Sequence, residues 1–195
     1  MNKPFAEVIE SSLDGWLAQA WDLNISPSFG SIIVIESKSR KLFGIVHQIR
    51  TGSNDPVRYP FAYQKTQEEL MNEQPQIFEF LKTNFSCLNL GYQENNTIFH
   101  LLTPEPPKIH SFVRKITIEE SKLLFKNPQY LQVIFGYANK ISNLDELLLS
   151  LIKNLSHNKI LTDHHFEEFI ETYSLLTDND YRRLKLFLQR INFII

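Results

Sequence analysis

The hydrophobic period of this chain changes once, near Thr117, and the change limits the possible folds more than any other feature. Before it lie short apolar runs of strand length, "FAEVIES", "GWLAQAWDL", "GSIIVIES", "KLFGIVHQI", "FSCLNLGYQ" and "NTIFHLL", rich in Ile, Val, Phe, Trp and Tyr and separated by Gly, Pro, Asn or Asp. Short connections such as Leu13-Asp14-Gly15 and Lys38-Ser39-Arg40 favour a meander or a small barrel. In "SIIVIE" the odd and even positions are both apolar, Ile33 and Ile35 on one face and Ile32 and Val34 on the other. A strand of this kind is covered on both sides, as a barrel strand is when another element packs outside it.

After Thr117 the apolar spacing becomes helical. Thr117 with Glu120 has the spacing of a capping box, and Asn143 with Glu146 repeats it. Leu147, Leu148, Leu151, Ile152 and Leu155 mark one helix, and Phe166, Phe169, Ile170, Tyr173 and Leu176 mark another that begins near Thr162. A last helix carries Tyr181, Leu184, Leu188 and Ile191, with Thr177 as the expected cap and Asp180 three residues on. Asn127-Pro128 splits the first helical segment. The proline-rich "TPEPPKIHSF" precedes "IHSFVRKI", which predicts a last strand closing the sheet. The expected architecture is α+β: a small β-barrel over residues 1–116 with a helical insertion at about 66–82, then an α-helical bundle over 117–195.

The insertion follows the stretch "RYPFAYQKT". Thr66 and Glu69 form another capping-box pair, and Pro75 suits the first position of a helix presenting Ile77, Phe78 and Leu81. Tyr59, Phe61 and Tyr63 are expected to help cover the doubly apolar strand, with Arg58 and Lys65 facing solvent.

Motifs for chemistry are sparse. The six glycines form neither a P-loop nor G-x-G-x-x-G, which argues against nucleotide hydrolysis or dinucleotide binding through those motifs. Asp163-His164-His165 invites a metal reading, but neighbours on a helix point about 100° apart and nothing nearby completes a ligand set, so first-turn helix residues are expected. His47 shares its predicted strand face with Phe43, Ile45 and Ile49, as a core histidine would. Cys87 lies in an apolar run and reads as packing. The pairs Glu68-Glu69, Glu119-Glu120 and Glu167-Glu168 fall on helix starts or polar faces, where the macrodipole and water account for them. No catalytic, cofactor-binding or metal-ligating residues are assigned.

Arg182, Arg183, Lys185 and Arg190 lie opposite the apolar stripe of the last helix, as a solvated face or a site for an acidic partner. A second group of cations, Lys38, Arg40, Lys41, Arg50 and Arg58, could meet phosphate beside Tyr59, Phe61 and Tyr63 if the fold gathers them. The net charge of −2 gives no global attraction to nucleic acid or to an anionic membrane. The longest apolar runs fall short of the roughly 20 residues of a spanning helix. One cysteine, and an N-terminal "MNKPFAEVIE" without a signal-type apolar core, lead to an expected cytoplasmic location.

"FAEVIESSLDGWLAQAWDL" followed by "SFGSIIVIESKSRKLFGIVHQIRTGS" resembles the HAS barrel, the N-terminal barrel of HerA-type DNA-translocating ATPases and of ATP synthase catalytic-ring subunits. Gly30 to Glu36, Phe43-Gly44-Ile45-Val46 and Thr51-Gly52-Ser53 carry the likeness, clearest over residues 4–53. The resemblance implies a barrel that does no chemistry and serves as an assembly collar and docking surface. Where the motor domain follows in those enzymes, this sequence has a helical segment without a P-loop, so no ATPase activity is expected. The expected role is a non-enzymatic assembly or adaptor protein with a protein partner or self-association, linked through the resemblance to a nucleotide-driven machine. The alternative is a nucleic-acid-binding protein. For either, the candidate contacts are Arg50, Arg58, Tyr59, Tyr63 and Lys65. An enzyme built on His47, Cys87 or the 163–165 cluster is the third reading.

Overall fold

The computed structural model describes residues 2–37, 39–53, 55, 57 and 60–193. The strands are β1 (Pro4–Ser11), β2 (Gly15–Ala20), β3 (Ile32–Ser37), β4 (Arg40–Ser53), β5 (Leu81–Glu94), β6 (Thr97–Phe99) and β7 (Phe112–Lys115). All pair antiparallel. β2 bonds to both β1 and β5, so β1, β2, β5, β4, β3 and β7 close into a six-stranded barrel with β6 added beside β5. The closing strand is β7, seated between β1 and β3, from the segment "IHSFVRKI".

The helices are α1 (Gln67–Glu73) and α2 (Gln76–Glu79) in the β4–β5 connection, then α3 (Ile118–Leu124), α4 (Gln129–Gly136), α5 (Leu144–His157), α6 (Asp163–Leu176) and α7 (Tyr181–Ile191). Thr117 and Glu120 form the expected capping box, and Asn143 and Thr162 cap α5 and α6. Asp180, not Thr177, caps α7; the Thr177 hydroxyl instead donates to the Tyr173 carbonyl at the end of α6. The Asp180 carboxylate accepts from the Arg183 amide at 3.0 Å, and an ionised acceptor at a helix N-terminus also meets the positive end of the dipole.

The two faces of β3 enter two different cores. Ile33 and Ile35 point inward and pack with Phe5, Val8, Trp16, Val46, Phe85 and Val113. Ile32 and Val34 point outward with Phe43, Ile45, Leu88 and Leu90, and share one cluster with Leu131, Ile134, Leu147, Leu148 and Leu151 of α4 and α5. The outer cover of the doubly apolar strand is therefore the C-terminal helices. This corrects the expectation placed on Tyr59, Phe61 and Tyr63: Phe61 is 68% exposed, Tyr63 is half-buried, and Tyr59 lies outside the described residues. The reason is area, since α5 alone buries seven Leu and Ile side chains.

Two glycines are dictated by close approach. Gly30 has φ +71°, and a Cβ there would lie 2.7 Å from Ser150 Cβ, so the entry to β3 passes directly under α5. Gly44 sits inside the barrel beneath Trp16, whose Cζ2 would be 2.5 Å from an added Cβ. Gly44→Val is expected to destabilise the chain by about 1–3 kcal/mol through overpacking, read as a lower urea midpoint with an unchanged slope.

A buried ionic cluster fastens α3 to the barrel. Arg114 of β7, 5% exposed, donates to both carboxylate oxygens of Glu120 at 2.8 and 2.7 Å and to Glu36 of β3 at 2.7 Å. Lys41 of β4 adds a bond to Glu120 at 2.7 Å. Burial alone would raise the Glu120 carboxyl, but the bonds from Arg114, Lys41 and the Thr117 amide outweigh it and hold it down at about 2. Glu120 is thus tied to three cationic or amide donors, and the dipole-and-water reading of Glu119-Glu120 fails for its second member.

Candidate interaction site

β4 and β5 outrun the barrel. β3 pairs with β4 only as far as Ile45, and β2 pairs with β5 only as far as Asn84, while β4 and β5 stay paired out to Ser53 and Leu81. The pairs Thr51–Thr83, Gly52–Lys82 and Ser53–Leu81 form a two-stranded ribbon, in which the two threonine hydroxyls bond at 2.8 Å. The β4 edge from Gln48 to Ser53 has no strand partner on its β3 side among the described residues. A β-bulge at His47 launches this ribbon: Val46 opposes Cys87 and Gln48 opposes Ser86, leaving His47 as the extra residue. The bulge also breaks the predicted face. Phe43 and Ile45 face the helices, whereas Ile49 packs on the barrel interior.

The connection at the ribbon's tip is held by local bonds. Ser53 and Asp55 bond reciprocally through the serine hydroxyl at 3.1 Å, and the Val57 amide donates to the Asp55 carboxylate at 2.9 Å. Phe61 and Tyr63 lie 4.2 Å apart between ring centroids. The Thr66–Glu69 capping box starts α1, and the backbone and side-chain bonds from Thr66 lower the Glu69 carboxyl. Pro75 is the N-cap of α2 with φ −57°, so the helix starts one residue later than predicted, at Gln76, and Leu81 opens β5 instead of extending the helix face. Neither α1 nor α2 buries a side chain. Val57, Pro60, Phe61, Tyr63, Ile77, Phe80 and Leu81 surround an open cavity of about 500 Å³.

Of the candidate contacts, Arg50 is exposed on the free β4 edge. Tyr63 lines the cavity, and Lys65 forms an ion pair with Glu73. Arg58 and Tyr59 fall outside the described residues, as does Lys38. The predicted cation group does not converge: Arg40 pairs with Glu94 at 2.9 Å and Lys41 with Glu120, ten and nine positions from Arg50 along β4, on the order of 30 Å at strand rise. What the sequence reading missed here is the projection itself, for which the only signal is a turn-poor run longer than a barrel wall needs.

The remaining candidates lie elsewhere. Cys87 packs in the barrel interior, where burial pushes its thiol well up. His47 borders a cavity of about 280 Å³ with Glu10, Asp14, Ser86 and Lys140, and burial lowers its pKa. His164 faces Glu168 at 3.6 Å, and the His165 ring meets the Thr162 hydroxyl at 3.0 Å. Among the described residues no three His, Cys, Asp or Glu are placed to share a metal ion, and no helix is long and apolar enough to cross a membrane. No protein-family model matches this chain, and no curated protein matches its sequence.

Proposed function

We propose that this chain is a non-enzymatic assembly or adaptor protein, in which a helix-covered barrel serves as a rigid body and the β4–β5 arm meets a protein partner. The observation that carries the reading is the insert at the arm's tip: no side chain of its two helices is fully buried, while Val57 is 89% and Phe61 68% exposed beside a largely apolar cavity. Large apolar side chains held together at the end of a projection weaken solubility without adding to a core, which is the pattern of a surface that a partner covers. The free β4 edge beside it offers backbone donors and acceptors to the same partner. The closed barrel supports the resemblance to the HAS barrel as a scaffold, and any link to a nucleotide-driven machine rests on that resemblance.

Charge favours protein over nucleic acid as the partner. Residues 54–80 contain Asp55, Glu68, Glu69, Glu73 and Glu79 against only Arg58 and Lys65, and Lys65 is already paired. A phosphate backbone would be repelled by such a tip. An enzymatic role for Cys87 would need a thiolate, which its apolar burial opposes.

Size-exclusion chromatography with light scattering, alone and after retention from lysate, tests the reading. It predicts an oligomer or a stoichiometric protein partner. A chain that stays strictly monomeric and retains no protein overturns it. Retention of single-stranded DNA or RNA that falls steeply with salt and is weakened by Arg50→Ala and Arg58→Ala would establish the nucleic-acid alternative instead.

A further inference from the structure

We infer that the arm's partner is a second copy of this chain, docked head to tail on the outer face of α7; this rests on the reading of the arm as a docking surface. α7 is sharply two-sided. Leu184, Phe187, Leu188 and Ile191 enter the helical core, while the opposite face exposes Leu186 (55%) with the adjoining Phe193. Arg182, Leu186, Gln189 and Phe193 recur at helical spacing and form one stripe. A cavity of about 820 Å³ opens along it, between α7 and the start of α5.

The charges on the two surfaces are complementary and incompletely used. On α7, Arg183 is neutralised by Asp145 at 2.7 Å and Arg190 by Glu146 at 2.6 Å, both carboxylates belonging to α5, and Asp180 is engaged as the N-cap. Arg182 and Lys185 are left exposed, with no ion-pair partner among the described residues. On the arm, Glu73 is paired with Lys65 and Glu69 with its own cap, which leaves Glu68 and Glu79 exposed and without an ion-pair partner among the described residues. Over residues 54–80 acids outnumber cations five to two, and α7 carries four cations and no acid, so the arm's tip is net anionic and α7 net cationic, each beside exposed apolar groups.

That arrangement selects the geometry of association. Tip against tip, or α7 against α7, would place like net charges together, which disfavours those contacts. Arm against α7 pairs Glu68 and Glu79 with Arg182 and Lys185 and lets Phe61 and Val57 meet Leu186 and Phe193. Because the two surfaces are different patches of one chain, the contact is heterologous and propagates into a ring or a filament.

The test uses the full chain in three forms: wild type, an α7 variant carrying Arg182→Glu and Lys185→Glu, and an arm variant carrying Phe61→Asp. Light scattering across a concentration series is expected to show a mass above monomer for wild type and at least a tenfold weaker association, about one decade in dissociation constant, for either variant alone. The two variants mixed in equal amounts are expected to form a dimer and nothing larger, since one intact arm meets one intact α7 and both free ends are blocked. All substitutions fall on exposed side chains, and Leu186→Ser is a second α7 variant with the same expectation. A mixture that stays monomeric, or variants that assemble like wild type, overturns the inference. A monomeric wild type that still retains another protein through its arm overturns the inference and leaves the adaptor reading standing; a monomer that retains nothing overturns both.

Discussion

Arg114→Met is expected to destabilise the chain by about 3–5 kcal/mol, because it strips the guanidinium from a carboxylate that stays buried. Glu120 would retain only Lys41 and the Thr117 amide, and Glu36 would lose its contact with β7. A loss of that size is a large fraction of a typical domain's 5–15 kcal/mol, roughly speaking, so the variant should unfold at a far lower denaturant midpoint. The same cluster sets the acid limb. The Glu120 carboxyl sits at about 2 in the folded chain, below its ordinary value of 4.5, so the unfolded state binds the proton more readily. Its contribution is fully present above the unfolded value and is lost as pH falls through that window toward about 2. Wild type should therefore lose stability steeply below pH about 4.5, and Arg114→Met, with its main bond to Glu120 already gone, should show a shallower slope. Equal acid slopes in the two proteins would remove the cluster from the account.

Phe43→Ala is the second large effect, expected at about 3–5 kcal/mol from lost transfer and the cavity left behind. Phe43 is fully buried on the outer barrel face and belongs to the same cluster as the α4 and α5 leucines and isoleucines. Because that cluster is common to both regions, the β-sheet and helical signals should still fall together in one transition, displaced to lower denaturant. Helices that melt ahead of the sheet would show that the two regions are held by separate cores.

How far this arrangement was legible varies with the range of the interaction. Capping boxes at Thr66 and Thr117 depend on residues three apart, and both form as spaced. The alternation of Ile32 to Ile35 depends on one strand, and it correctly demands two covers. The identity of the second cover could not be read, because aromatic residues near the strand in sequence compete with an α5 more than one hundred positions away. His47 changes face through a bulge whose extra residue is defined only by its partners on β5. Glu120 looks like a solvated first-turn acid until β7 brings Arg114 against it. Of the candidate contacts, Tyr63 and Lys65 do lie at the arm's tip, but nothing local distinguishes a projecting hairpin from one that folds back.

We propose that the arm's tip serves a partner and not the fold. A chain in which residues 54–80 are replaced by a short hairpin turn between Ser53 and Leu81 tests it most directly, through retention of protein on the immobilised chain compared side by side with wild type. Since no side chain of α1 or α2 is fully buried, the armless chain should fold with its unfolding free energy within about 1 kcal/mol of wild type. Whatever wild type retains, its own copies included, should be lost from the armless chain. An armless chain that folds and retains the same protein in the same amount would contradict it.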